Sequence, residues 1–148
     1  MAAIFLGVQA WQSRGVVRGA APHIAGRGLR GEALDTAALR GRPALVTFWA
    51  TWCTVCRADL GTLASVARDV PMITVASSSG DAAEVRAWLA ARGRELPVIV
   101  DPGGTIAAAA GVHAFPTTLV LDAGGRVRSV AVGYTTEAGL RARLALAR

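Results

Sequence analysis

The chain has no lysine. All 16 of its basic residues are arginine, set against 10 acidic ones, for a formal charge of +6 over 148 residues. The arginines are scattered, Arg14, Arg18, Arg27, Arg30, Arg57, Arg68, Arg86, Arg126 and Arg141 among them, and no three stand in a row. Aromatics are also scarce, at 5% of the chain, and do not interleave with the arginines. Nucleic-acid binding needs dense basic patches and stacking rings, so no nucleic-acid partner is expected. A hydrophobic run long enough to cross a membrane is missing too. The apolar stretch "MAAIFLGVQAW", interrupted by Gln9, would reach roughly 16 Å as a helix, about half of a bilayer core. It has neither a charged leader nor a small-x-small cleavage site, which makes it a poor signal peptide. The favoured reading takes residues 1–21 as the remnant of an N-terminal membrane anchor plus a polar linker. The other takes the stretch as an apolar segment docked on the domain. Residues 22–148 read as one domain, with no internal repeat.

Cysteine is the last scarcity. The chain has two, Cys53 and Cys56, in "ATWCTVC". A disulfide-dense scaffold is excluded. A zinc site needs four ligands and would have to recruit His23 and His113, or a second chain.

What is present is an alternation of strands and helices. "LDTAALRGR" reads as a helical turn capped by Asp35 or Thr36 and stopped by Gly41. "ALVTFWA" (44–50) is a continuous apolar, β-rich run, the mark of a buried central strand. Residues 54–69 take up a helical period. "MITVAS" (72–77) is a second buried strand. Residues 80–93 form a helix, with Asp81 and Glu84 spaced as a capping box and Gly93 as a stop. "PVIVD" (97–101) is a strand and 105–112 a short helix. "TTLVLD" (117–122) and "RVRSVAVG" (126–133) are hairpin strands around "AGG". Residues 135–147 close the chain as a helix, with Leu140 and Leu144 on its apolar face. The order βαβαβαββα specifies an α/β fold with a central mixed sheet flanked by helices.

Strand 44–50 runs straight into the cysteines, and a helix follows. At about 100° per residue, Cys56, Leu60, Leu63, Ala67 and Val70 share one stripe, so Cys56 lies on the buried face. Cys53 precedes the first turn, beside unpaired backbone N–H groups and the positive end of the helix dipole, where a thiolate is favoured. A structural disulfide, half of a metal site and a pair of small buried hydrophobes are competing readings. The first would close too short a loop to stabilise much. A reactive dithiol fits best, because C-x-x-C sits at a strand-to-helix junction in an α/β pattern.

"VTFWATWCTVC" (46–56) with "GVHAFPTTLVLDAGGRV" (111–127) resembles the thioredoxin superfamily. More narrowly, it resembles the membrane-anchored extracytoplasmic branch of the TlpA, ResA and DsbE types and the suppressor-for-copper-sensitivity D type. The resemblance covers about residues 22–147. It implies a thioredoxin-like fold and a protein disulfide oxidoreductase whose only redox group is the Cys53–Cys56 disulfide, with no other cofactor and no bound metal. Cys53 would attack and Cys56 resolve. Pro116 would be a cis-proline facing them, and Phe115 would pair with an extended substrate. Trp52 would shield the site, whereas Trp49 suits core packing. Thr54 and Val55, between the cysteines, would tune the potential. They match neither common dipeptide, so the direction of electron flow is left open. Thioredoxin itself carries a buried carboxylate where this chain has Thr47. The anchored branch often has one three residues after the second cysteine, here Asp59, a proton acceptor for Cys56. The implied partners are protein thiols and disulfides and a membrane electron carrier. The implied location is periplasmic or otherwise extracytoplasmic, at the inner membrane, and the implied state is a monomer. A second reading is a Cu(I)-binding or copper-delivery module using both cysteines and His113. A third, a cytosolic thioredoxin, is opposed by Thr47 and the apolar amino terminus. "GRGLRG" (26–31) fits a dinucleotide-loop pattern by chance, since it follows no convincing strand and opens no long helix. Tyr134 is expected to cap the sheet edge and pack.

Overall fold

Six consecutive buried residues, Ala44–Trp49, form strand β4, and six more, Met72–Ser77, form β5. Both run parallel in the middle of a six-stranded sheet. Strands buried on both faces need no polar alternation, which is why these segments read as continuous apolar runs. A computed structural model describes all 148 residues. In chain order its remaining strands are β1 (Gly19–Ala20), β2 (Ala25–Arg27), β3 (Ala33–Asp35), β6 (Val98–Asp101), β7 (Thr117–Leu121) and β8 (Arg126–Val132). The helices are α1 (Ala2–Gln12), α2 (Thr54–Val66), α3 (Ala82–Ala90), α4 (Thr105–Ala109) and α5 (Glu137–Leu146). The sheet order is β1-β8-β7-β4-β5-β6. β4, β5 and β6 are parallel, whereas β7 and β8 run antiparallel, so the sheet is mixed as expected.

Successive residues of β4 point to opposite faces and build two cores. On one face Val46 and Phe48 pack with Ile73, Val75, Leu119 and Ile99 beneath α4. On the other, Leu45 and Trp49 pack with Leu60, Leu63 and Val66 of α2, Val85 and Leu89 of α3, and Leu140 and Leu144 of α5. Each such side chain contributes roughly 1.5–3 kcal/mol on burial. Arg141 of α5 donates two 2.9 Å bonds to the carboxylate of Asp69, just past α2, and this ties the two helices side by side.

Local signals landed closely. Asp35 caps a single 3₁₀ turn, Thr36–Leu39, by accepting from the Ala37 N–H. Asp81 caps α3 by accepting from the Glu84 N–H at 2.8 Å. The hairpin after β7 is held by Asp122, whose Oδ1 accepts from the N–H groups of Gly124 and Arg126.

Two features depart from the reading of the sequence. The stretch expected to be linker is packed. Ser13 and Val16 are buried, and Gly19–Ala20 adds an edge strand against Arg126 and Val127. Gly111, at φ 71°, allows this approach, because a Cβ there would collide with the Gly15 carbonyl. The second is the hairpin β2–β3, which the sequence did not announce because its strands are short and largely exposed. Part of "GRGLRG" lies in β2 and its turn, with no long helix following.

Candidate active site

β4 ends at Trp49, and after three intervening residues Cys53 caps the N-terminus of α2. Cys53 has extended backbone, φ −87° and ψ 111°, which leaves its sulfur over the open end of the helix. The Cys56 N–H donates to Cys53 Sγ at 3.2 Å, so the cysteine does what serine or aspartate does at other caps. The two sulfurs differ in surroundings. Cys53 is half-buried and Cys56 fully buried, and neither is in a disulfide. Burial, then the hydrogen bond with Cys53, pushes the Cys56 thiol well above its ordinary range, and the nearby Asp59 charge adds to this.

The segment before β7 closes over the pair. The Phe115–Pro116 peptide is cis. The Cys53 thiol donates to the Phe115 carbonyl at 3.5 Å. Trp52 is 62% exposed and stands edge-on to the Phe115 ring, centroids 5.8 Å apart. Its indole N–H donates to the Ser78 carbonyl at 3.0 Å. Thr54 and Val55 lie exposed on the first turn of α2. Trp49, by contrast, is fully buried against Trp88, as expected of a core ring.

Asp59 sits one turn beyond Cys56 and is only 2% exposed. Its Oδ1 accepts from the Thr135 N–H at 3.5 Å. Burial raises its pKa to about 6, and that hydrogen bond opposes the shift. Thr47 is also fully buried, its hydroxyl 2.9 Å from that of Thr118.

The structure thus brings Cys53, Cys56, Asp59, Trp52, Phe115 and Pro116 together at one end of the sheet. His113 is exposed on the same loop, but no three His, Cys, Asp or Glu side chains form a group able to hold a metal ion. The arrangement proposed from the sequence for Cu(I), with both sulfurs and His113, is therefore not assembled. Tyr134 does not pack as expected. It is 50% exposed, on the connection between β8 and α5. Sequence reasoning missed two contributors. The Thr135 N–H is a backbone donor with no side-chain signature. Ser78 takes a left-handed φ of 51°, and the "SSSG" run that begins at the end of β5 was the only hint of an irregular turn there.

Such a site can exchange disulfides: an accessible sulfur to attack, a hidden one to resolve, a carboxylate to take a proton, and a loop edge beside them. Known proteins agree. Residues 18–144 match the Redoxin family model. The thiol:disulfide interchange protein DsbE of Pseudomonas fluorescens is 36% identical over 76% of this chain and 64% of its own length. The thioredoxin-like protein YneN of Bacillus subtilis is 28% identical over 85% of this chain and 77% of its own. The crystal structure of a thiol:disulfide interchange protein of the thioredoxin family from Chlorobium tepidum superposes with a TM-score of 0.74, at 25% identity, over 88% of this chain and 97% of that one. The chain spans just under two thirds of the length of the DsbE relative. On its site, its sheet and these likenesses, the chain belongs to the Redoxin family, as a thioredoxin-like protein of the TlpA, ResA and DsbE type.

Proposed function

We propose that the protein is a thiol–disulfide oxidoreductase that acts on protein disulfides outside the cytoplasm, held at a membrane. The carrying observation is the inequality of its sulfurs beneath the Phe115–Pro116 loop: Cys53 open at a helix N-cap, Cys56 buried behind it.

In the reducing direction the Cys53 thiolate attacks one sulfur of a substrate disulfide. The substrate S–S bond breaks, a mixed disulfide forms, and one substrate thiolate leaves and takes a proton. Cys56 then gives its proton to the Asp59 carboxylate and attacks Cys53 Sγ. The Cys53–Cys56 bond forms and the second substrate thiol departs. Two electrons and two protons pass to the substrate. The reverse reaction uses the same atoms. A dithiol partner at the membrane would return the pair to its starting state. Phe115 offers backbone groups to an extended substrate strand, and Trp52 and Val55 supply the apolar rim.

Location outside the cytoplasm is supported by the confinement of both cysteines to this motif, since a spare thiol is a liability in an oxidising compartment. A membrane is supported by α1, which leaves Ile4, Phe5, Leu6 and Trp11 between 62% and 69% exposed. No helix of the chain is long and apolar enough to cross a membrane. The test of the activity is insulin reduction with dithiothreitol as donor. Turnover by the wild type and none by Cys53→Ser is expected. Undiminished turnover in Cys53→Ser would refute the assignment.

A further inference from the structure

Gln9 is the only polar side chain between Ala2 and Trp11. It does not face solvent alone. Its Nε2 donates to the Val132 carbonyl at 2.6 Å, and the Val132 N–H donates to its Oε1 at 3.1 Å. Val132 is the last residue of β8; it faces Thr117 of β7, and because the next pair, Gly133 and Pro116, is the hydrogen-bonded one, the Val132 N–H and carbonyl point away from β7. The only strand on that side, β1, covers β8 at Arg126 and Val127 alone. A carboxamide carries the same donor and acceptor as a peptide group, so Gln9 stands where the next strand would be.

The rest of α1 is inverted relative to a helix of a soluble domain. No residue of it is buried. Its apolar side chains are exposed; of its two glutamines, Gln9 within the apolar run turns to the protein, and Gln12, exposed, ends the helix two residues before Arg14. That is the pattern required where the surroundings are hydrocarbon, because polar groups there must find partners within the protein. No charge occurs in Ala2–Gln12, and the first basic residues, Arg14 and Arg18, follow at once. The chain beyond α1 has no slack either. Val16 is in the core and the Val17 N–H donates to the Ala110 carbonyl at 3.0 Å.

We infer that α1 is docked rather than tethered: Gln9 seats it on the edge of β8, a lipid bilayer is the occupant of its outward face, and the redox site is carried at a fixed attitude to the membrane. The inference rests on the membrane reading above and adds the rigid seat to it. The seat also lies next to the chemistry. Directly after Val132, the Gly133 N–H donates to the Pro116 carbonyl at 2.8 Å and the Thr135 N–H donates to Asp59. Gln9 is therefore a positioning residue for the strand end that supports both.

Two measurements on the full chain separate the layers. In flotation with phosphatidylcholine–phosphatidylglycerol vesicles, wild type and Gln9→Leu should both float, and an Ile4→Ser, Phe5→Ser, Trp11→Ser triple variant should not. A wild type that stays at the bottom overturns the membrane reading, and this inference with it. In amide hydrogen exchange on the vesicle-bound protein, Gln9→Leu should lose protection at Val132 by at least about tenfold, the order expected for lost hydrogen bonds, with β4 unchanged. If Val132 exchanges equally in wild type and Gln9→Leu while both float, α1 is tethered and the docked seat is wrong.

Discussion

At Asp59 the protein holds a carboxyl that is 2% exposed, with its pKa raised to about 6 by burial. Two consequences follow at the scale of this residue. First, in the proposed mechanism Asp59 takes the Cys56 proton only when ionised, so resolution of the mixed disulfide should slow as pH falls through about 6. Asp59→Asn should slow it roughly 10²-fold at neutral pH and remove that limb of the profile, as single-turnover kinetics would report. Second, the folded state binds this proton more tightly than the unfolded chain, whose carboxyl titrates near 3.8. The protonated group therefore favours folding fully below 3.8, and the contribution is lost as pH rises through about 6. The loss is about 2–3 kcal/mol. Urea unfolding of the wild type should fall by that amount relative to Asp59→Asn between about pH 4 and pH 7. Parallel curves would mean that Asp59 is solvated. The contrast between the two sulfurs was legible in the sequence because helical phase puts Cys56 on the apolar stripe while Cys53 precedes the first turn. The depth of Asp59 was not, since it depends on α5 and the Thr135 loop closing over it from 76 residues away.

The elements follow from local chemistry wherever burial is two-sided. β4 and β5 lie within one residue of their apolar runs because every position in them is buried. Capping is similarly local. Asp81→Ala should cost about 1 kcal/mol of stability, through the lost bond to the Glu84 N–H, and thermal unfolding measures it. The strands β1 to β3 were not legible, because two- and three-residue exposed strands carry no alternation to read. Their existence depends on neighbours distant in sequence. Gly111 is the clearest such case. Gly111→Ala meets both a left-handed φ of 71° and the Gly15 carbonyl, so it should destabilise by about 1–3 kcal/mol and free the 13–20 segment. A neutral Gly111→Ala would show that this segment is not seated as described.

Across the whole molecule, the mixed sheet gathers the reacting groups from separate parts of the chain. β4 and α2 carry the cysteines, the β5 turn holds Trp52, the segment before β7 brings Phe115 and Pro116, and the loop after β8 holds Asp59. The motifs revealed which fold would do this, whereas the part played by Val16 in the core and by β1 in the sheet, both ahead of residue 22, carried no sequence signal. Removing residues 1–12 should leave the domain folded, whereas removing 1–21 should lower its melting temperature by several degrees, about 2–4 °C for each kcal/mol lost. The inequality of the sulfurs is most directly tested by competitive alkylation of the reduced protein with iodoacetamide, mapped by mass spectrometry over time. Cys53 should be modified at least about 100-fold faster than Cys56, since burial both hides the Cys56 sulfur and holds its thiol protonated. Comparable rates, or a faster Cys56, would contradict the division of labour proposed for the pair.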